Sequence, residues 1–505
     1  MKNRRGKPGA KACLDAAHEL PCTANEESDL MRVPNQEISD LPGPRGWPLI
    51  GNLLDFDAAT LHFKLEAWAA EFGPNFPVHF GPKRLLVISE PQGVSEILRD
   101  RPEGFRRLSS FEPVFTELGV CGVFAAEGES WKRQRRIWMS SLNANQLRGF
   151  QQQLGNVTTR LLRRWQVCAD QQRVLDIAEE LMRYTVDVTM LFALGHDANT
   201  LEQDDDTIQQ HLNQIFPALQ RRIAAPFPLW RYFKRRADHQ LDDALAQVRA
   251  EVDTLIARAR ERLAAQADDD KQPGCFLEVL LLARDADGSK FSDDDVFSNC
   301  LTALLAGEDT TANTLAWVLH YFCEHPDVFE AVRREADELM QGAAVPDARG
   351  FPAWLDATDA VINETLRLRP VAPYLLVTAQ QDSIVQGLRI PPGTDVALLL
   401  RSAAGSAPCT LPAPSFSPFS GAGSEMKSPG NAATLPFGYG PRMCPGRNLA
   451  LAEMRSVILM VARNFDLHAV TDSGPVREKL SFALMPDKLH IQLARREHLS
   501  AVSNP

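Results

Sequence analysis

The chain has 505 residues, 44% hydrophobic and 24% charged, which suits a large packed core and excludes a disordered or fibrous polymer. Lys and Arg number 54 against 65 Asp and Glu, a net charge of −11 that does not point to nucleic acid. The nine cysteines form no C-x-x-C pairs, and no signal-peptide apolar core is present. Reduced thiols and a cytoplasmic location are therefore expected rather than a disulfide framework.

Residues 1–38 carry Lys2, Arg4, Arg5, Lys7 and Lys11, then Glu26, Glu27 and Asp29, and read as a disordered polar tail. No run in it approaches the roughly 18 apolar residues of a membrane helix, so no membrane anchor is visible. Length alone suggests two or three domains, but the order of the motifs below argues for one large domain over 39–497, with 498–505 a short tail. Apolar runs at Phe76 to Phe80 and Leu85 to Ser89, around Gly81-Pro82, predict a β-hairpin. From about 128 to 265 the periodicity is mostly helical. There Trp131-Lys132-Arg133-Gln134-Arg135 places Trp131 and Arg135 one turn apart on a common face.

Ser292 with Asp295 forms a capping box, and acidic residues fill the first turn of a helix that runs unbroken to Pro326. In its middle stands Ala306-Gly307-Glu308-Asp309-Thr310-Thr311. Glycine costs about 1 kcal/mol in a helix interior, threonines lower propensity, and adjacent acids repel. Such a local conflict inside a strong helix marks a functional site and predicts a locally opened turn. Helical signals return at 326–341 and 356–368, where Glu364 and Arg367 share a face and can pair. Strand-like pieces follow near 374–378, 384–390 and 395–400. Residues 402–434, rich in Ser, Ala, Pro and Gly and almost uncharged, read as a loop.

The most informative stretch is Phe437-Gly438-Tyr439-Gly440-Pro441-Arg442-Met443-Cys444-Pro445-Gly446, followed by a helix from Arg447 to Val461. A thiolate just before a helix N-terminus lies at the positive end of the dipole. Glycines there let backbone pass close to something flat and bulky.

These ten residues resemble the haem-ligand loop F-x-x-G-x-R-x-C-x-G of the cytochrome P450 family at every fixed position. The resemblance implies a mostly α fold with small β-sheets, and haem b between the long central helix and the helix after the cysteine loop. It makes Cys444 the axial thiolate ligand of the iron, pushing electron density toward bound dioxygen. Arg442, Trp131 and Arg135 become propionate donors, while Phe437, Gly438, Gly446 and Gly307 complete the cofactor-binding set. Residues Ala306 to Thr311 resemble the family's A-G-x-D/E-T-T motif. Thr310 would then offer a hydroxyl to an oxygen species, and Asp309 or Glu308 would relay protons. Glu364 and Arg367 resemble the structural E-x-x-R pair, and Lys132, Arg133 and Arg136 an electron-donor docking face.

The implied substrate pocket draws on Phe111, Phe115, Phe124, Leu304, Leu305, Ala372, Leu375 and Leu484, the last within a turn Phe482-Ala483-Leu484-Met485. This apolar lining fits a hydrophobic small molecule. The implied reaction inserts one atom of O₂ into that molecule, with electrons from NAD(P)H through a separate ferredoxin system or flavoprotein reductase. A peroxide-using enzyme and a non-catalytic haem ligand-binding protein remain as rivals. Three departures stand out. The family's P-E-R-F element is replaced by Pro414-Ser415-Phe416-Ser417-Pro418-Phe419-Ser420, with Ser420 where the arginine belongs. An H-R-D-P-like piece expected near 404–407 is missing. Val377-Thr378 lacks the basic residue that contacts a propionate, so one propionate is expected to have fewer donors.

Overall fold

A computed structural model describes residues 36–496 except 58, 82, 204–206, 226–227, 268–271, 285–287, 348–349, 353–354, 406–414, 420–434, 471–473 and 482. The expected tails, apart from residues 36–38, and most of the 402–434 stretch lie outside the described residues.

The first α-helix among the described residues is α1 (Leu61–Phe72), followed by the expected hairpin, β1 (Asn75–Phe80) paired antiparallel with β2 (Lys83–Ile88). Helix α2 (Pro91–Arg99), strand β3 (Phe105–Arg107) and helix α3 (Phe111–Glu117) lead to α4 (Gly128–Ser141), which carries Trp131 and Arg135. A helical stretch follows: α5 (Ala144–Asp170), the short strand β4 (Val174–Asp176), α6 (Ile177–Leu194), α7 (Thr207–Ala224), α8 (Arg236–Ala264) and α9 (Phe276–Leu282).

Helix α10 (Asp293–Glu324) is the axis of the molecule. Ser292 Oγ accepts from the Asp295 N–H at 3.1 Å, and the Asp295 carboxylate accepts from the Ser292 N–H at 3.1 Å, so the predicted capping box forms. Between Val296 and Phe322 the helix is buried on most of its surface, as its scarcity of charges dictates. Helices α11 (Pro326–Met340), α12 (Asp356–Leu368), α13 (Leu400–Ala403) and α14 (Arg447–Asn464) complete the helical set among the described residues.

The remaining strands are β5 (Tyr374–Ala379), β6 (Ser383–Val385), β7 (Leu388–Ile390), β8 (Asp395–Leu399), β9 (Phe465–Ala469), β10 (Arg477–Leu480), β11 (Leu484–Asp487) and β12 (His490–Arg495). One sheet runs β1-β2-β8-β5-β3; β4-β12-β9, β10-β11 and β6-β7 form smaller ones. Residues 384–390 are therefore two strands, joined by a tight turn with φ of 48° at Gln386 and 81° at Gly387. In the large sheet β3 pairs antiparallel with β5, setting Arg107 opposite Val377.

Candidate active site

A cavity of about 340 Å³ lies between α4, α6, α10, α14, the start of β5 and the cysteine loop. Its wall is mainly apolar, with Cys444 on one side and Thr310 on α10.

The cysteine loop is held by its own backbone. Gly438 (φ 72°) donates to Leu435 C=O at 2.9 Å, and the Cys444 N–H donates to Phe437 C=O at 2.8 Å. Gly440 also has positive φ (71°), and a Cβ there would lie 2.5 Å from the Leu98 carbonyl oxygen, so only glycine fits. Arg135 reaches across from α4 and donates to Met443 C=O at 2.5 Å. Gly446 is the N-cap of α14, and its missing Cβ would sit 3.8 Å from Cys444 Sγ. Burial pushes the Cys444 thiol up; the N–H groups of Gly446 and Arg447 and the cations Arg135 and Arg447 pull it down.

Four guanidiniums line the same cavity: Arg101, Arg107, Arg135 and Arg442. Arg442 donates to Ala126 C=O at 3.0 Å, pairs with Glu127, and lies over the Trp131 ring at 4.2 Å. Arg107 stacks on Phe124 at 3.6 Å. The Nε atoms of Arg101, Arg107 and Arg442 are buried with no hydrogen-bond partner. Burial, reinforced by Arg101 and Arg442, holds the Arg107 guanidinium well below its ordinary range, and Arg101 and Arg442 are each pushed down to about 10. Glu127 is the main opposing charge. So many buried cations against so little anion is a poor arrangement by itself. It fits a group that brings two carboxylates, as haem does with its propionates, and half-buried Cys444 faces the same cavity with the sulfur such an iron would need.

The strand residue missing at Val377 is thus matched by Arg107, which the β3–β5 register sets directly opposite. Arg101 and Arg107 were not legible in the sequence: strand pairing sets Arg107 there and the turn after α2 sets Arg101, neither at a fixed spacing from the motifs.

On α10, Ala306, Gly307, Thr310 and Thr311 line the cavity; Glu308 and Asp309 do not. The expected opening of this turn is absent, since the helix is continuous from Asp293 to Glu324. Thr310 Oγ1 donates to Ala306 C=O at 2.9 Å, and Thr314 Oγ1 donates to Thr310 C=O at 2.8 Å. From α6, Thr185 Oγ1 donates to Glu308 C=O at 3.0 Å. The threonines fold their hydroxyls back on the helix, so low propensity does not become a break. Gly307 has a packing reason: a Cβ there would lie 2.5 Å from Thr189 Oγ1 of α6. Burial pushes the Asp309 carboxyl up to about 6, within the range useful for proton transfer near neutrality.

Of the expected pocket residues, Phe115, Phe124, Leu305, Ala372 and Leu375 line the cavity. Three do not. Leu304 is buried in the core, two positions and so more than half a turn from Ala306. Phe111 packs at the edge of that core. Leu484 is fixed between Trp317, whose indole donates to its C=O at 3.4 Å, and Val371, whose C=O accepts its N–H at 2.9 Å. Phe482 lies outside the described residues. Phe192 and Leu219 line the cavity without having been expected. Of the basic face on α4, Lys132 and Arg136 are exposed, but Arg133 lies over Phe291 at 3.9 Å and faces Asp295 at 4.0 Å.

The Glu364–Arg367 pair forms as expected, with two contacts of 2.7 Å. Among the described residues main chain joins the pair: the Ser417 N–H donates to Glu364 Oε1 at 3.0 Å, and Arg367 donates to Ser415 C=O at 3.4 Å. Phe416 anchors this segment, stacked on Tyr321 at 4.1 Å. Residues 402–405 are not all loop either, because Ser402 and Ala403 end α13. Just upstream, fully buried Arg401 bridges Glu66 and Glu478 at 2.7 Å each.

A family model described as Cytochrome P450 matches residues 41–493. The human protein "25-hydroxyvitamin D-1 alpha hydroxylase, mitochondrial" is 29% identical over 485 residues, 90% of this chain and 92% of that protein. Cytochrome P450 734A6 of Oryza sativa subsp. japonica is 27% identical over 422 residues, 79% of this chain and 76% of that one. The crystal structure of the cytochrome P450DA heme domain shares the fold, with a TM-score of 0.78 and 23% identity over 92% of this chain and 99% of that chain. The human, mouse and rat hydroxylases are mitochondrial by name, so the expected cytoplasmic location is withdrawn. Among the described residues no helix is long and apolar enough to cross a membrane.

Proposed function

The chain belongs to the cytochrome P450 family of haem-thiolate monooxygenases, and from that premise we propose that it inserts one atom of O₂ into an unactivated C–H or C=C bond of a hydrophobic small molecule. Two electrons would come from NAD(P)H through a separate redox protein. The carrying observation is that one apolar cavity collects Cys444, the four guanidiniums and the Thr310 turn.

A bound haem would supply dioxygen activation, the thiolate favouring O–O cleavage. Cys444 would hold its iron. Arg442, Arg135 and Trp131, with Arg107 and Arg101, would hold its propionates, charge-assisted contacts that arginine makes in pairs. Phe437, Gly438 and Gly446 give the loop side of the slot, and Gly307 lets α6 and α10 close behind it. Thr310 would release the Ala306 carbonyl and turn its hydroxyl to the cavity. Asp309, titrating near 6, would bring protons to it from outside the cavity, with buried Glu308 beside it. Phe115, Phe124, Leu305, Ala372 and Leu375 would orient the substrate and exclude water. Lys132 and Arg136 would face the electron donor.

The test is turnover of a substrate, found by spin-state shift, under ¹⁸O₂ with a reconstituted electron donor. The reading expects one ¹⁸O atom per product. Product only with hydrogen peroxide, or a spin shift with no product, would transfer the assignment to a peroxygenase or a ligand-binding protein respectively.

A further inference from the structure

Between α3 and α4 one side of the cavity is closed by residues 118–126, which form neither helix nor strand. Val120, Val123 and Phe124 line the cavity from this strip, while Gly119 and Cys121 are exposed. The wall here is one residue thick, with the cavity on one side and solvent on the other. No ladder of backbone bonds holds such a strip, so its polar groups need partners elsewhere.

Those partners are side chains of two helices. Ser298 Oγ of α10 donates to Gly119 C=O at 2.9 Å, and Gln134 Nε2 of α4 donates to Cys121 C=O at 3.2 Å. The Val123 N–H donates to Asn299 Oδ1 of α10 at 3.3 Å. Gly122 lies flat on the same helix: a Cβ there would overlap Thr302 Oγ1 and come within 2.5 Å of the Ser298 carbonyl oxygen.

Asn299 does more than hold the strip. Its Oδ1 also accepts the indole N–H of Trp138 at 2.8 Å, and its Nδ2 donates to Asp295 C=O at 2.9 Å. A carbonyl oxygen has two acceptor sites, and here both are used. Val123 and Trp138 line the cavity from different elements; fully buried Asn299 does not line it. One amide, out of a substrate's reach, thus sets the position of two wall residues.

We propose that Asn299 is a specificity-determining positioning residue: it latches the 119–123 strip and Trp138 onto α10, and the latch fixes the width of the cavity. This rests on the monooxygenase reading and adds how that site selects its substrate. A pre-organised apolar wall binds a molecule that fits it without an ordering cost. A bulkier molecule of the same polarity has to break buried hydrogen bonds to enter, and buried N–H groups left unpaired are costly. Selection is therefore by width.

Asn299→Leu, Asn299→Asp and Ser298→Ala test this in the haem-loaded protein. A buried aspartic acid stays neutral and keeps one oxygen for the two N–H groups and an O–H for Asp295 C=O. Two readouts are compared. One is amide hydrogen exchange of residues 118–126 by mass spectrometry. The other is the affinity for imidazole and for clotrimazole, a small and a bulky nitrogen ligand, from the Soret shift. The proposal expects Asn299→Leu to speed exchange severalfold in this strip and to raise clotrimazole affinity severalfold relative to imidazole. Asn299→Asp should stay near wild type in both, and Ser298→Ala should move both the same way by a smaller factor. Wild-type exchange in Asn299→Leu overturns the latch. Faster exchange with an unchanged affinity ratio overturns the role in selection. Asn299→Asp behaving like Asn299→Leu overturns the hydrogen-bond account. If Asn299→Leu does not fold, Ser298→Ala decides by the same two readouts. If wild type takes up no haem, the monooxygenase reading fails and the selection claim with it, while exchange still decides the latch.

Discussion

The cysteine loop and the Glu364 corner are built in opposite ways. In the loop almost every residue has a fixed duty: Gly440 abuts the Leu98 carbonyl, Phe437 C=O takes the Cys444 N–H, and Arg135 takes Met443 C=O. At the corner the pair Glu364–Arg367 is kept, and main chain joins it through the Ser417 N–H and the Ser415 C=O. The difference teaches where side-chain identity matters. A group that must meet a ligand needs a particular atom in a particular place. A carboxylate that needs only one more donor can take any N–H that folding delivers, here one delivered by the Phe416–Tyr321 stack.

Four substitutions can break or sharpen this contrast. Cys444→Ala should abolish the thiolate spectrum completely while the fold persists by circular dichroism; a surviving thiolate spectrum would place the ligand elsewhere. Glu364→Ala should lower unfolding free energy by about 1–3 kcal/mol, because it removes the buried carboxylate that half-buried Arg367 and the Ser417 N–H both bond. Denaturant midpoints would show this, and a loss under about 1 kcal/mol would mean the corner is not structural. Arg107→Gln should speed haem loss to a trapping apoprotein severalfold, yet raise the unfolding midpoint of the haem-free protein by relieving cation repulsion. Lowered haem-free stability would show that Arg107 serves the fold instead of the ligand. The smallest effects belong to Ser417. Replacing it with alanine should change stability by less than about 0.5 kcal/mol, whereas proline, which has no N–H, should cost about 1–3 kcal/mol. Equal losses in the two variants would contradict main-chain capping of Glu364.

The same contrast explains what the sequence disclosed. The Cys444 loop, the Ser292-capped helix and the Glu364–Arg367 pair were legible because each needs set residue types at set spacings. Arg107 was not, since only the pairing of β3 with β5 sets it opposite Val377. Ser417 was not, because a backbone N–H carries no signature. The 306–311 turn was misread as open: threonine weakens a helix in general, but here the hydroxyls bond back to its carbonyls. Leu304 and Leu484 were assigned to the pocket from the segments that line it in the resembling family, and within such a segment apolar residues of core and cavity look alike.

The most direct test of a thiolate-held haem at Cys444 is the difference spectrum of purified protein, reduced with dithionite and exposed to carbon monoxide. A single far-red Soret band of the haem-thiolate type is the predicted result. A band at the position of histidine- or neutral thiol-ligated haem, or no haem band at all, would contradict it.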